Sequence, residues 1–263
     1  MKNPKLYRAF IPLLLLVVSC TKVIDLKLKN DAGELVIEGK ITNMPGPQSI
    51  MLSTNVPFTS TNSYPQVTGA TVTVSDQAGN SYKLIEGPAG TYTAYQLAGV
   101  AGSIYLMNVS TNGKNYKASS QMPAMVLLDS VTSKTSGFDK KRRQVTVHYQ
   151  DPAGTANQYR FVVYINYVQV KAIFAYNDNY NDGKYVNIDL REDNIDVYPD
   201  DIVQVEMQCI DKVVYTYWFT QMQQEINGPG GGVTPSNAPN NISPNALGYF
   251  SAHTTQTKTI VVK

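Results

Sequence analysis

Cysteine, histidine and charge are all scarce in this 263-residue chain, and each shortage removes a class of function. The two cysteines, Cys20 and Cys209, are too few for a disulfide framework. The two histidines, His148 and His253, stand alone, with no His-Glu-x-x-His or comparable metal spacing around either. Only 16% of the residues are charged, and no basic field is present to attract nucleic acid. The chain lacks a Gly-x-Ser-x-Gly elbow for a catalytic serine. "GPGGG" lacks the Lys-Ser/Thr of a phosphate loop and reads as a flexible connection. With no acid, base and nucleophile at known spacings, the expectation is a protein that is not an enzyme and carries no cofactor. Helical runs of Glu, Lys, Ala and Leu are missing as well. The longest apolar run, Phe10 to Val18, falls far short of the about 20 residues that span a bilayer.

That short run has a different use. Lys2, Lys5 and Arg8 precede it, and small Ser19 and then Cys20 follow it. A positive start, a short apolar middle and a small residue at the end describe a secretory signal over residues 1–19. Val17-Val18-Ser19-Cys20 resembles the bacterial lipobox. That resemblance implies diacylation of Cys20 on sulfur, a role suited to a thiolate nucleophile, and cleavage just before it. Two or more acyl chains would anchor the protein stably in a membrane. Residues 20–30 then read as a lipidated tether. Without residues 1–19 the formal charge falls from +2 to −1, so the positive balance belongs to the signal.

The remaining composition favours β structure: 18 Tyr, 18 Gly, 14 Pro and many Val and Thr. "ELVIEGKIT" (34–42), "QSIMLS" (48–53), "ATVTVSD" (70–76), "SIYLMNVST" (103–111) and "KNYKASS" (114–120) read as strands separated by turn residues. In "ATVTVSD", Ala70, Val72 and Val74 share one face, opposite Thr71, Thr73 and Ser75. Residues 31–122 are therefore expected to form an Ig-like or prealbumin-like β-sandwich. "QMPAM" marks a boundary, and residues 123–263 are expected to form a second β-rich domain with one packed helix. Its strands are read at "QVTVHYQ" (144–150), "QYRFVVYINYVQV" (158–170), "YVNIDL" (185–190) and "DIVQVEMQCI" (202–210), with "KTIVV" last. Cys209, in an alternating run, reads as a buried structural thiol.

The helix is predicted near 211–226. Asp211 can cap it, and Val214, Trp218, Met222 and Ile226 recur at four-residue spacing, with Tyr215 and Phe219 beside them. Gly228 and Pro229 end it. Trp218 reads either as an anchor packed on the second sheet or as a ligand platform. A loop rich in Gly, Pro and Asn follows over 227–245.

Several blocks in order resemble a lipoprotein family of Bacteroidota, domain of unknown function 4249. They are the Cys20 signal, "LVIEGKITN", "VTGATVTVSDQAGN", "DIVQVEMQCIDKVVYTYW" and "NISPNALGYFSAH". The resemblance implies an outer-membrane lipoprotein in two mostly β parts, often encoded beside TonB-dependent receptors, which makes such a receptor the expected partner. It supplies no catalytic residues. Thr21 is not the Asp that retains lipoproteins in the inner membrane, so outer-membrane sorting is expected, on either the periplasmic or the cell-surface face.

Two acidic stretches are candidate cation sites. Asp178, Asp182 and Asp189 fall at positions one, five and twelve of a calcium loop, but Tyr180 occupies position three. The same Asn-Asp-Gly reads more simply as a hairpin turn. "REDNIDVYPDD" (191–201) reads as a solvated loop by default. Lys140 to Arg143 read as a wet turn or, alternatively, a contact to anionic headgroups. The many tyrosines serve either the core and cross-strand pairs or a surface that stacks on sugar or peptide. The functional expectation is an accessory or binding component of a TonB-dependent uptake or envelope complex; the alternative is an independent surface binder of glycan or peptide.

Overall fold

The computed structural model describes residues 32–57, 60, 63–137, 139–191, 195–227 and 236–263, without the side chains of Ile226 and Asn227. The 1–19 signal, the 20–30 tether with Cys20, and residues 192–194 and 228–235 of the two loops lie outside these.

Residues 32–263 form one compact unit that is mainly β, with a single helix among the described residues. The first half supplies β1 (Leu35–Thr42), β2 (Gln48–Thr54), β3 (Thr71–Asp76), β4 (Ser81–Lys83), β5 (Ile85–Glu86), β6 (Thr91–Ala94), β7 (Ile104–Thr111) and β8 (Lys114–Gln121). The second supplies β9 (Leu128–Thr135), β10 (Arg143–Gln150), β11 (Gln158–Ile165), β12 (Val168–Gln169), β13 (Phe174–Asn177), β14 (Tyr185–Leu190) and β15 (Ile202–Cys209). Helix α1 (Lys212–Asn227), β16 (Ile242–Ser243) and β17 (Leu247–Val261) complete it.

Alternation built the layers. In β3, Val72 and Val74 are fully buried and their neighbours face outward, as a half-wet strand requires. One nine-stranded sheet, in the order β12-β11-β15-β17-β1-β2-β6-β5 with β13 also on β11, runs the length of the unit. The five-stranded sheet β16-β8-β7-β3-β4 shares one hydrophobic core with β1, β2 and β6. The three-stranded sheet β14-β10-β9 shares a second core with β11, β13 and β15. The arrangement is two β-sandwiches joined through one long sheet.

The join is β17. Its first half lies parallel to β1, from Val36↔Leu247 to Thr42↔His253. Its second half lies antiparallel to β15, from Cys209↔Thr254 to Ile202↔Val261. Ile242, Ala246, Phe250 and Ala252 therefore sit in the first core, although they come late in the chain. The two cores are not two consecutive stretches of sequence.

Two local readings are corrected. The run 158–170 is a strand, a tight turn and a short return strand, because Asn166 and Tyr167 both take positive φ, 49° and 68°. Asn-Asp-Gly makes a turn but not a hairpin: β13 pairs with β11 and β14 with β10, so residues 178–183 cross from one sheet to the other. The basic run is a turn, as expected, with Arg142 paired to Asp196 at 2.9 Å.

Helix α1 starts where its cap predicts. The N–H groups of Val213 and Val214 donate to Asp211 Oδ1 at 3.0 and 2.9 Å. Ser120 Oγ donates to the other carboxylate oxygen, which ties the cap to β8. Val214 and Met222 are buried, and Met222 Sδ accepts the Ala175 N–H, so the expected apolar stripe does face the sheet. Cys209 is buried, its Sγ accepts the Val126 N–H, and burial pushes its thiol pKa up.

Candidate functional site

Under α1 the nine-stranded sheet presents polar side chains to the helix. Gln204, Glu206 and Gln208 of β15 point away from the second core, as do Arg160 and Tyr164 of β11, because the alternate residues fill that core. The Arg160 guanidinium lies 3.7 Å from the Trp218 ring centroid, and its Nη1 donates to Gln208 Oε1 at 3.0 Å. Gln208 Nε2 and Thr255 Oγ1 both donate to Glu206 Oε1, at 2.8 and 2.7 Å. Trp218, Tyr217 and Tyr249 pack edge-on or tilted at 5.0–5.2 Å. Trp218 is thus a partly buried anchor on the outer face of the sheet, seated on an arginine rather than in an apolar core. Burial raises the Tyr249 pKa to about 12 and lowers that of Arg160 from its ordinary value.

Beside this cluster a cleft of about 590 Å³ opens between α1, β1 and the start of β17. Tyr217, Gln221, Gln224 and Asn237 offer it planar polar groups, and Val36 and Leu247 an apolar floor. An aromatic ring with side-chain amides is a lining suited to a neutral polar ligand such as a glycan or an extended peptide.

His253 and Ser251 look at first like a base and a nucleophile, with Ser251 Oγ 2.9 Å from His253 Nδ1. Both are sealed, at 3% and 2% exposure, so this pair cannot meet a substrate. Burial drives the His253 pKa down to about 4; nearby Glu206 acts against this, while Arg160 and Lys40 add to it. As pH falls the unfolded chain, with its ordinary value near 6.5, takes up the proton first. Stability from this group is complete above pH 6.5 and is lost between 6.5 and about 4, by about 3 kcal/mol in all. Urea denaturation at pH 7 and pH 4 should show that loss, and His253→Gln should lack it. His148 instead lies between Thr132, at 2.7 Å, and Asn187 on the outer face of the three-stranded sheet.

The acidic residues divide. Asp178 and Asp182 come together with Asp151, offering carboxylate oxygens all within 4.8 Å of one another. Asp189 is held elsewhere, by Lys134 Nζ at 2.8 Å and Thr146 Oγ1 at 2.6 Å, and these hydrogen bonds outweigh its partial burial and lower its pKa. In the second acidic stretch Asp196 pairs with Arg142, and Asp201 accepts from Asn166 Nδ2 and the Tyr198 N–H. Asp151 was not singled out from the sequence. Its only local signal is Asp-Pro-x-Gly turn chemistry ahead of β11.

A family model for "Domain of unknown function (DUF4249)" matches residues 21–259. The chain belongs to the DUF4249 family. No curated protein matches it. Among solved structures it is similar to the Yersinia pseudotuberculosis adhesin InvE, at 17% identity over 66% of this chain and 55% of that one. The TM-score of 0.22 gives that likeness no weight for a DUF4249 chain.

Proposed function

We propose that this DUF4249 chain is a non-enzymatic lipoprotein of the outer membrane, anchored at Cys20, that serves as an accessory or binding component of a TonB-dependent nutrient-uptake or envelope complex. The observation that carries this is Cys20 itself, which follows Lys2, Lys5, Arg8, the Phe10–Val18 run and small Ser19. An anchored β body with a polar cleft is suited to holding a partner or cargo at a membrane. A second reading, an independent surface binder of glycan or peptide, is favoured by the Tyr217, Gln221, Gln224 and Asn237 lining of that cleft.

The test is a pull-down of the intact lipoprotein from outer membranes in mild detergent, with partners identified by mass spectrometry. A stoichiometric TonB-dependent receptor is the expected result. An unaccompanied protein that added protease cuts on whole cells would replace this reading by the second. Cys20→Ala is expected to move the protein wholly to the soluble fraction; if it stays with the membrane, the anchor is not at Cys20.

A further inference from the structure

The corner where the chain crosses between sheets has an imbalance of charge. Asp151 and Asp178 are 1% and 6% exposed, and Asp182 lies at the surface beside them. Among the described residues, the ion pairs go to Asp139, Asp189 and Asp196 and to none of these three. Lys184, the nearest lysine along the turn, donates to the Tyr180 carbonyl instead. Buried carboxylates are retained in proteins when a cation neutralises them, because desolvating an unpaired charge costs several kcal/mol.

Neutral donors already orient all three. Tyr159 Oη and the Gly183 N–H donate to the two oxygens of Asp151. The Asn157 N–H donates to Asp178 Oδ2 at 2.7 Å, and the Gly154 N–H to Asp182 Oδ1 at 2.7 Å. These bonds fix geometry without cancelling charge.

A fourth oxygen is within reach of the cluster. Asn157 is 6% exposed, and its Oδ1 is buried with no hydrogen-bond partner. Its own N–H and C=O are both bonded to Asp178, so covalent reach keeps that oxygen within about 7 Å of the Asp178 carboxylate. An orphaned buried acceptor next to three acceptor-only groups lacks a donor or a cation, and adding another acceptor would not help. A carboxylate set within 4.8 Å suits an ion that sits about 2.3–2.6 Å from each oxygen. An all-oxygen set supplied by two facing loops fits Ca²⁺. Mg²⁺ keeps most of its water, and Zn²⁺ favours nitrogen and sulfur.

We propose that Asp151, Asp178, Asp182 and the side-chain oxygen of Asn157 bind one Ca²⁺, which ties the 151–157 loop to the 178–183 turn. Exposed Asp182 is the route of entry.

The experiment uses the full chain in mild detergent, stripped with EGTA. Tb³⁺ is titrated in with excitation through tyrosine, since the Tyr159 hydroxyl touches Asp151. One saturable luminescent site, displaced by Ca²⁺, is expected, together with a rise of several degrees in Tm in millimolar Ca²⁺. Asp182→Asn should weaken Ca²⁺ at least tenfold, while Asp189→Asn, in the neighbouring sheet, should leave it unchanged. No saturable signal and no Tm shift in the wild type would overturn the site, whether or not the variant folds. So would equal binding by Asp182→Asn, or an equal loss in Asp189→Asn.

Discussion

Gly248→Ala should cost about 3–5 kcal/mol, a large share of the about 5–15 kcal/mol an ordinary domain possesses. Gly248 has φ +95°, and a Cβ built on it would lie 2.0 Å from the Ile37 carbonyl oxygen and 2.8 Å from its carbon. Those atoms are backbone of the strand it pairs with, so no rotamer change can make room. The parallel ladder between β1 and β17 would have to open. Gly79→Ala separates this from conformational strain alone. Gly79 has φ +92° but open space around it, and its alanine should cost only about 1–2 kcal/mol. Equal losses for the two variants in urea denaturation would refute the contact argument.

Phe250→Ala should cost about 3–5 kcal/mol, because Phe250 is fully buried in the first core and its loss leaves a cavity. The neighbouring strand makes the prediction sharper. Phe250 lies opposite Gly39, where a Cβ would come 2.9 Å from the Phe250 ring, 3.3 Å from Ile50 and 3.5 Å from Met107. Gly39→Ala alone overfills that space, at about 1–3 kcal/mol. Once Phe250 is truncated, the same methyl enters vacated volume. The double variant should therefore be less destabilised than the sum of the single ones, by about 1–2 kcal/mol. Additive losses would mean that the ring does not occupy the place of the missing Gly39 side chain.

Clean alternation and a cap were readable in the sequence; structure set by distant partners was not. β3 and β7 bury every second residue, and both were found. Helix α1 was found because Asp211 and the four-residue spacing are both local signals. The start of β17 escaped because the run Phe250 to Thr255 is buried throughout, one face in a core and the other against the Glu206–Arg160 cluster, which erases the period of two. β4 and β5 are three and two residues long, too short for any period. Asn181-Asp182-Gly183 announced a turn correctly, but nothing local says that the strands on either side enter different sheets. The sequence groups Asp178 and Asp182 with Asp189, which the fold holds elsewhere, whereas Asp151 and Asn157 join the first two only through the meeting of two loops. The cleft is likewise assembled from α1, β1 and β17, and no stretch of sequence contains it.

The pairing of β1 with β17 also governs when the molecule can fold. Thr255 donates its N–H to Asn43 Oδ1 across 212 positions, and Phe250 fills a core that the first strands begin. A nascent chain lacks these partners until Phe250 and Thr255 have emerged. Closing so long a loop slows folding through its entropy. The first core therefore cannot be completed before β17 is available. The first core is thus a late-closing one, and the pairing of β1 with β17 is the contact that closes it.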